Sequence, residues 1–201
     1  MRMAEPEAPA NPVADPAPLG LAAFALTTFL LSAENAGWTR GGAAWLGYAL
    51  AYGGLVQLLA GMWEFRNRNT FGATAFSSYG AFWIGLFFYG TIVAGGSPNA
   101  ANDKGWILLA FAIFNTYMLA AATRINMAVT AVFLTLELTE IVLFIGNFSN
   151  STTTIKFGGY LGILTALVAW YTSFAGVTNS LAGGMRLPVG RPMSLTRGAS
   201  A

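Results

Sequence analysis

The chemistry open to this chain is that of carboxyl and hydroxyl groups, because the sequence contains no cysteine and no histidine. It therefore lacks a thiolate nucleophile, a Ser–His pair and the commonest metal ligands. An enzyme would have to work with carboxylates alone, so we expect no catalytic residue, no metal site and no cofactor. The net charge of +2 is too small and too scattered for a nucleic-acid surface. Passage of a solute becomes the first function to test.

Two glutamates, Glu137 and Glu140, interrupt an otherwise apolar stretch. A charge at the centre of a membrane helix costs about 2.5–3.5 kcal/mol on insertion scales, so such groups usually face protein or water. At about 100° per residue, Glu140 lies roughly 40° from Leu136 around a helix. One interpretation is a structural acid bonded to a polar neighbour such as Asn115 or Thr116. The other is that Glu140 accepts a proton during passage of the solute.

A second apolar stretch carries four hydroxyl groups close together. They belong to Thr74, Ser77, Ser78 and Tyr79. Hydroxyl groups in apolar helices often bond only to the carbonyl four residues earlier. Four in six residues, one of them a phenol, favour a face that hydrates or binds something polar.

The elements that must position these groups are membrane-spanning helices. The chain is 55% hydrophobic and 9% charged with a mean hydropathy of +0.57, whereas soluble domains carry about 25% charged residues. Each apolar run approaches the roughly 20 residues needed to cross about 30 Å of hydrocarbon, and lipid forces such runs to be helical. The sequence predicts an all-α membrane protein with six spans, at residues 18–33, 42–63, 73–95, 105–123, 126–147 and 157–178.

These spans form one transmembrane domain, residues 18–178, between two tails. Residues 1–17 are rich in proline and predict a disordered tail, and residues 179–201, rich in arginine, predict a second mobile tail. If the N-terminus is cytoplasmic, seven of the ten basic residues fall on the cytoplasmic side. This excess favours both termini on the cytoplasmic side, and the membrane is expected to be the plasma (inner) membrane.

The first span begins with a typical helix start. Asp15 is expected to be the N-cap and Pro16 the first helical residue, where the missing N–H costs nothing. A functional alternative is that the positive end of this helix attracts an anionic solute. The carboxylate of Asp15 would partly compete with such an anion.

Several short motifs occur in the order found in a known family of membrane proteins. They are Asp15–Leu21 with Phe24, Thr27 and Thr28; Asn69–Gly72 with Ser78–Gly80, Phe82 and Trp83; Ile145–Asn147; Phe157–Gly159; and Ala169–Tyr171. Together they resemble the acetate uptake transporters, the succinate–acetate permeases, over most of the chain. Two departures are Asp15, where that family usually has asparagine, and Arg68, where a small residue is common.

The resemblance implies a six-helix protomer around a central pore, assembled as a homo-hexamer in the lipid bilayer. It also implies a hydrophobic constriction whose positions match Phe24, Tyr79 and Leu136. An apolar neck disfavours water and ions by dewetting, and the phenol of Tyr79 offers one donor to a carboxyl group. Without the resemblance, Phe24 and Leu136 would be interpreted as core or lipid-facing side chains.

Further positions are expected to bind substrate or to line the pore. They are Asp15, Leu19, Gly20, Thr27, Thr28, Asn35, Thr74, Ser78, Asn115, Glu140 and Ala169. Within this set, the proton hypothesis for Glu140 requires a neutral carboxyl group, since an ionised one would repel a carboxylate substrate.

The main functional hypothesis is a permease for acetate, with succinate as a further substrate, that moves the acid with a proton. Carboxylic acids titrate at roughly pH 4, so the solute is an anion at neutral pH, and a co-transported proton would lower its barrier at an apolar neck. A passive channel for acetate, acetic acid or another small solute such as urea remains open. So does a membrane sensor or scaffold with the tails as its ligands.

Overall fold

The computed structural model describes residues 13–181 and 186–193. Six helices in these ranges are long and apolar enough to cross a membrane, which confirms the predicted all-α transmembrane fold class. They are α1 (Ala17–Asn35), α2 (Leu46–Arg66), α3 (Thr70–Gly96), α4 (Ala100–Ala122), α5 (Met127–Phe148) and α6 (Thr152–Ser180). The parts of the predicted tails at residues 1–12, 182–185 and 194–201 lie outside the described residues.

Three of the six helices, α3, α5 and α6, begin at a capping side chain. Asn69 accepts a hydrogen bond from the N–H of Gly72, Asn126 from that of Val129 and Ser151 from that of Thr154. Each bond satisfies one of the first N–H groups of a helix, which have no partner within the helix. Short connections can therefore join α2 to α3, α4 to α5 and α5 to α6.

The start of α1 differs in one detail from the expectation. Pro16, not Asp15, is the N-cap residue, and its side chain makes no capping hydrogen bond. Asp15 still serves the helix end, because its carboxylate accepts a hydrogen bond of 3.0 Å from the N–H of Ala17. Pro18 lies in the first turn, where no N–H donor is needed.

The helices close into a bundle in which α1 packs along α6 and against α2. Helix α2 packs along α3, α4 along α5, and α5 along α6. Glycines permit the closest approaches: a Cβ added at Gly53 would lie 2.5 Å from the hydroxyl oxygen of Thr27, and one at Gly159 would lie 2.5 Å from the backbone nitrogen of Ala36. Close packing of small residues is how helices associate where lipid removes the hydrophobic driving force.

Aromatic side chains fill the wider gap between α3 and α4. The ring of Tyr79 lies 5.7 Å from that of Phe111 and 5.5 Å from that of Phe114, centroid to centroid. Phe82 packs against Phe111 at 4.6 Å. These contacts hold the Tyr79 ring in the interior of the bundle.

Residues 186–193 correct the expectation of a mobile C-terminal tail over that part of the chain. The carbonyl of Val189 accepts from the N–H of Ala128, in the first turn of α5, and the N–H of Met193 donates to the carbonyl of Thr123, just after α4. Asn179 also bonds both backbone groups of Leu187. Helix ends leave backbone groups without partners within the helix. Residues 186–193 supply hydrogen-bond partners for such groups at the start of α5 and just after α4.

Candidate permeation pathway

Three cavities follow one another through the bundle. The largest, about 530 Å³, lies at the end where α1 and α5 begin and α6 ends, and we call it the vestibule. The middle cavity measures about 20 Å³. The distal cavity, about 40 Å³, extends to Asn35 at the other end of α1. All three lie within a single protomer.

Residues common to two cavities mark the necks between them. The vestibule and the middle cavity share Leu21, Ala75, Phe76 and Phe133. The middle and distal cavities share Phe24, Tyr79 and Leu136. The vestibule and the distal cavity share none. A solute that crosses the bundle by this route must therefore pass both necks.

The second neck brings together the three residues that the family resemblance had singled out. Phe24 comes from α1, Tyr79 from α3 and Leu136 from α5, and they are 5%, 3% and 6% exposed. The rings of Phe24 and Tyr79 meet edge to face, with centroids 5.8 Å apart. A narrow apolar passage of this kind opposes hydrated ions by dewetting.

A buried polar network lies behind the Tyr79 ring. The phenol oxygen is 3.1 Å from Oδ1 of Asn115 and 3.3 Å from Oε1 of Glu140. Asn115 donates to the carbonyl of Phe133 at 2.9 Å and to Oε2 of Glu137 at 2.7 Å. Tyr79 therefore contributes its apolar ring to the second neck, while its hydroxyl group is bonded within a polar cluster.

The two glutamates occupy different environments. Glu137 accepts hydrogen bonds from Asn115 and from Thr116, as the structural interpretation of this pair supposed. Glu140 lines the distal cavity together with Leu136, and its Oε2 has no partner among the described residues. Both glutamates are thus hydrogen-bonded to polar neighbours, and of the two only Glu140 lines one of the three cavities.

Of the other candidates, Asp15 lines the vestibule, and Thr28 and Asn35 line the distal cavity. Asn115 lines none of the three cavities, and its side chain is bonded to Tyr79, Glu137 and the carbonyl of Phe133. Asp15 is the only charged side chain among the described residues that line the vestibule. Its negative charge disfavours an anion at this mouth.

Six further candidate positions, like Asn115, line none of the three cavities. They are Leu19, Gly20, Thr27, Thr74, Ser78 and Ala169. Leu19 is 47% exposed on the outside of the bundle, and Ala169 is fully buried. A Cβ at Gly20 would lie 2.7 Å from the Phe76 ring, and the hydroxyl group of Thr27 bonds to the carbonyl of Ala23. Their assignment to the substrate pathway therefore stays a prediction.

Sequence reasoning missed most of the polar lining of the vestibule. Four amide side chains reach it, those of Asn67, Asn69, Asn126 and Asn179. The signal was available, since each asparagine flanks an apolar span on the side that carries the termini. Gln57, which is buried and lines the middle cavity, lies inside a span and gave no such signal.

Six apolar helices define a multi-pass integral membrane protein, and the three cavities in its bundle form a candidate pathway. The chain belongs to the GPR1/FUN34/yaaH family, whose sequence profile matches residues 3–191. This agrees with the family resemblance drawn from the motifs.

Named relatives carry transport functions. Acetate permease A of Emericella nidulans is 42% identical over 200 residues, which cover 90% of this chain and 67% of that protein. The succinate-acetate/proton symporter SatP of Escherichia coli is 34% identical over 180 residues, 89% of this chain and 96% of that one. The chain spans only 63 to 67% of the fungal relatives that it matches.

A solved structure, described as the bacterial acetate channel SatP, has the same fold. It superposes with a TM-score of 0.84 at 34% identity, covering 89% of this chain and 99% of that one.

Proposed function

We propose that this protein carries acetate and related small carboxylates, succinate among them, across the membrane together with a proton, and that it is not an enzyme. The observation that carries the proposal is the series of three cavities inside one protomer, with Phe24, Tyr79 and Leu136 between the last two. The relatives named as an acetate permease and as a succinate-acetate/proton symporter support the substrate class.

The second neck explains why a proton helps. A carboxylate that enters an apolar passage loses its hydration without gaining a fixed positive partner, and burial of an unpaired charge is costly. Carboxylic acids titrate at roughly pH 4, so the neutral form is scarce at neutral pH but pays a far smaller cost. Passage of acid and proton together therefore has the lower barrier.

Uptake of radiolabelled acetate into vesicles that contain the purified protein tests this function. With a proton gradient directed inward, we expect acetate to accumulate above equilibrium, and collapse of the gradient should abolish the accumulation. Measurements at two pH values should show faster uptake at the lower one. Protein-free vesicles provide the control, because acetic acid itself crosses lipid.

A passive channel for the acid or its anion is the second candidate, and the similarity to a structure described as an acetate channel favours it. Under that function, labelled acetate would equilibrate without accumulating, whatever the proton gradient. Entry of urea at a comparable rate would extend the channel to neutral solutes. Uptake no faster than in protein-free vesicles would contradict both candidates.

The orientation follows from the basic residues. We propose a plasma-membrane protein with both termini, and with them the vestibule, on the cytoplasmic side, supported by the excess of basic residues on that side. The chain has no cysteine, so single cysteines at Arg40 and Arg191 report the topology cleanly. A membrane-impermeant maleimide added to intact cells should label the first and spare the second.

The assembly is a homo-hexamer in which each protomer keeps its own pathway. Support comes from the outer surface of α4 and α5, where exposed Thr116 and half-buried Glu137 meet. Lipid offers no hydrogen bonds to such groups, so a neighbouring protomer is the better cover for this surface. Native mass spectrometry of the detergent-extracted protein should give six copies.

A further inference from the structure

The distal cavity contains two polar atoms that lack a partner. Glu140 is 3% exposed and its Oε2 accepts and donates nothing among the described residues. The hydroxyl oxygen of Thr28, 5% exposed, is equally without a partner. The neighbouring Thr27 shows the usual alternative, since its hydroxyl group bonds to the carbonyl of Ala23. Buried polar groups of native proteins are nearly always paired, so two orphans in one cavity wall call for a ligand.

The remaining wall suits a short aliphatic acid. It is mostly apolar, with Leu31, Phe82, Leu108 and Leu143 among its residues. A buried water needs roughly 10–15 Å³ of such space, so a cavity of about 40 Å³ has room for a molecule of a few heavy atoms. The cavity therefore offers an apolar wall to a methyl group, and the free oxygens of Glu140 and Thr28 to a carboxylate group.

Counting hydrogens in the network behind Tyr79 gives the protonation of Glu140. Both amide hydrogens of Asn115 are committed, to the carbonyl of Phe133 and to Glu137, so its Oδ1 is the atom that faces Tyr79. The phenol has one hydrogen for two oxygen neighbours, Asn115 Oδ1 and Glu140 Oε1. An ionised Glu140 would leave one of these acceptors without a donor.

A neutral Glu140 supplies a hydrogen to each oxygen that faces Tyr79 and leaves only its own Oε2 without a partner. It donates to the Tyr79 oxygen, Tyr79 donates to Asn115, and Asn115 donates to Glu137. Glu137 and Tyr79 are the titratable groups that act on Glu140. No lysine, arginine or aspartate stands among the described residues that line the distal cavity. Glu34, next to the lining residue Asn35, and Lys104, one helical turn before the lining residue Leu108, interact with each other. A substrate anion in this cavity therefore has no fixed cation to neutralise it.

We propose that the distal cavity is a binding site for a small carboxylic acid in which the carboxyl hydrogen of Glu140, turned from the Tyr79 oxygen to the cavity, and the hydroxyl group of Thr28 donate to the substrate carboxylate. The proposal rests on the function proposed above. It assigns the coupled proton to a residue: the O–H bond of Glu140 breaks, an O–H bond forms on the substrate, and the products are the Glu140 carboxylate and the neutral acid.

The network then adjusts to the new charge. Tyr79 turns its hydrogen from Asn115 to the Glu140 carboxylate, which gains a charge-assisted bond in place of the lost proton. Asn115 Oδ1 then has no donor until Glu140 is protonated again, so the ionised state is short-lived. The neutral acid leaves the cavity, and a proton from the water on the entry side restores Glu140. One proton thus crosses with each acid molecule.

Infrared difference spectroscopy on the full-length protein in vesicles tests the proton directly. We expect a carbonyl band of a neutral carboxyl group at neutral pH, absent in Glu140→Gln and kept in Glu137→Gln. Carbon-13 acetate, whose own bands are displaced by the label, should weaken or shift that band. Absence of the band, its persistence in Glu140→Gln, or its indifference to saturating acetate would each overturn the proposal.

Binding and flux provide the second measurement. Thr28→Val removes one donor with little change of shape and should weaken acetate binding by about tenfold, as the loss of a hydrogen bond to a charged group does. Thr135→Val is the matched control, because that hydroxyl group bonds only to the backbone of its own helix. Glu140→Gln should lower proton-driven acetate uptake by a similar factor or more.

The two proposals fail in different ways. If the wild-type protein transports no acetate, the proposed function is wrong whatever the spectrum shows. If acetate accumulates with protons in both wild-type and Glu140→Gln vesicles, the function stands and the assignment of the proton to Glu140 is wrong. Unaltered acetate affinity in Thr28→Val would show that the Thr28 hydroxyl group does not bind the substrate.

Discussion

Replacement of Leu136 by alanine is expected to let longer carboxylic acids through the pathway. Leu136 is 6% exposed and belongs to the wall of both the middle and the distal cavities. Its truncation widens the second neck without altering Phe24 or Tyr79. An apolar pocket discriminates between two substrates that differ by one methylene group by roughly 10- to 200-fold in rate. We therefore expect the uptake of butyrate relative to acetate to rise about tenfold or more.

Competition between labelled acetate and unlabelled longer acids in vesicles measures this ratio. Leu138→Ala is the matched control, since Leu138 lies on the same helix but is 46% exposed on its outer face. Truncation of a buried leucine in a packed core costs about 2–5 kcal/mol, so thermal stability must be recorded for both variants. An unchanged butyrate-to-acetate ratio in a stable Leu136→Ala protein would place the narrowest point of the pathway elsewhere.

The six spans could be predicted because lipid leaves the backbone no choice but a helix. Their ends could not all be predicted, since a capping side chain rather than hydrophobicity marks the start of α3, α5 and α6. The last span was expected at residues 157–178, yet α6 begins at Thr152, just after the cap Ser151. Its first turns carry threonines and Lys156, which no hydropathy argument assigns to a membrane helix.

For the site, too, the sequence predicted what depends on one helix and missed what depends on contacts between helices. Helix geometry alone put Glu140 near the face of Leu136, and both side chains line the distal cavity. By contrast, Tyr79 and Asn115 are 36 residues apart in sequence and lie on different helices. The hydrophobic periodicity of a single helix contains no information on such a pair. The packing of residues 186–193 on the helix ends escaped prediction for the same reason.

Gly80→Ala is expected to disrupt the packing that holds Tyr79 in the second neck. A Cβ at Gly80 would lie 2.7 Å from the backbone nitrogen of Leu58 and 2.9 Å from the carbonyl oxygen of Gly54. Both atoms belong to the backbone of α2, which cannot turn away as a side chain can, so α2 and α3 must separate. Overpacking of this kind costs about 1–3 kcal/mol and occasionally more.

Because Tyr79 is the adjacent residue, separation of the two helices also displaces its ring from Phe24 and its hydroxyl group from Asn115. We therefore expect Gly80→Ala to lose thermal stability and acetate uptake together. Gly85→Ala is the control on the same helix, where no atom lies within 4 Å of the added Cβ and alanine favours the helix by about 0.5–1 kcal/mol over glycine. That variant should melt no lower than the wild type and transport acetate normally. Full stability and transport in Gly80→Ala would mean that α2 and α3 do not approach as closely as this packing requires. Tyr79 would then owe its position to its contacts with α1, α4 and α5.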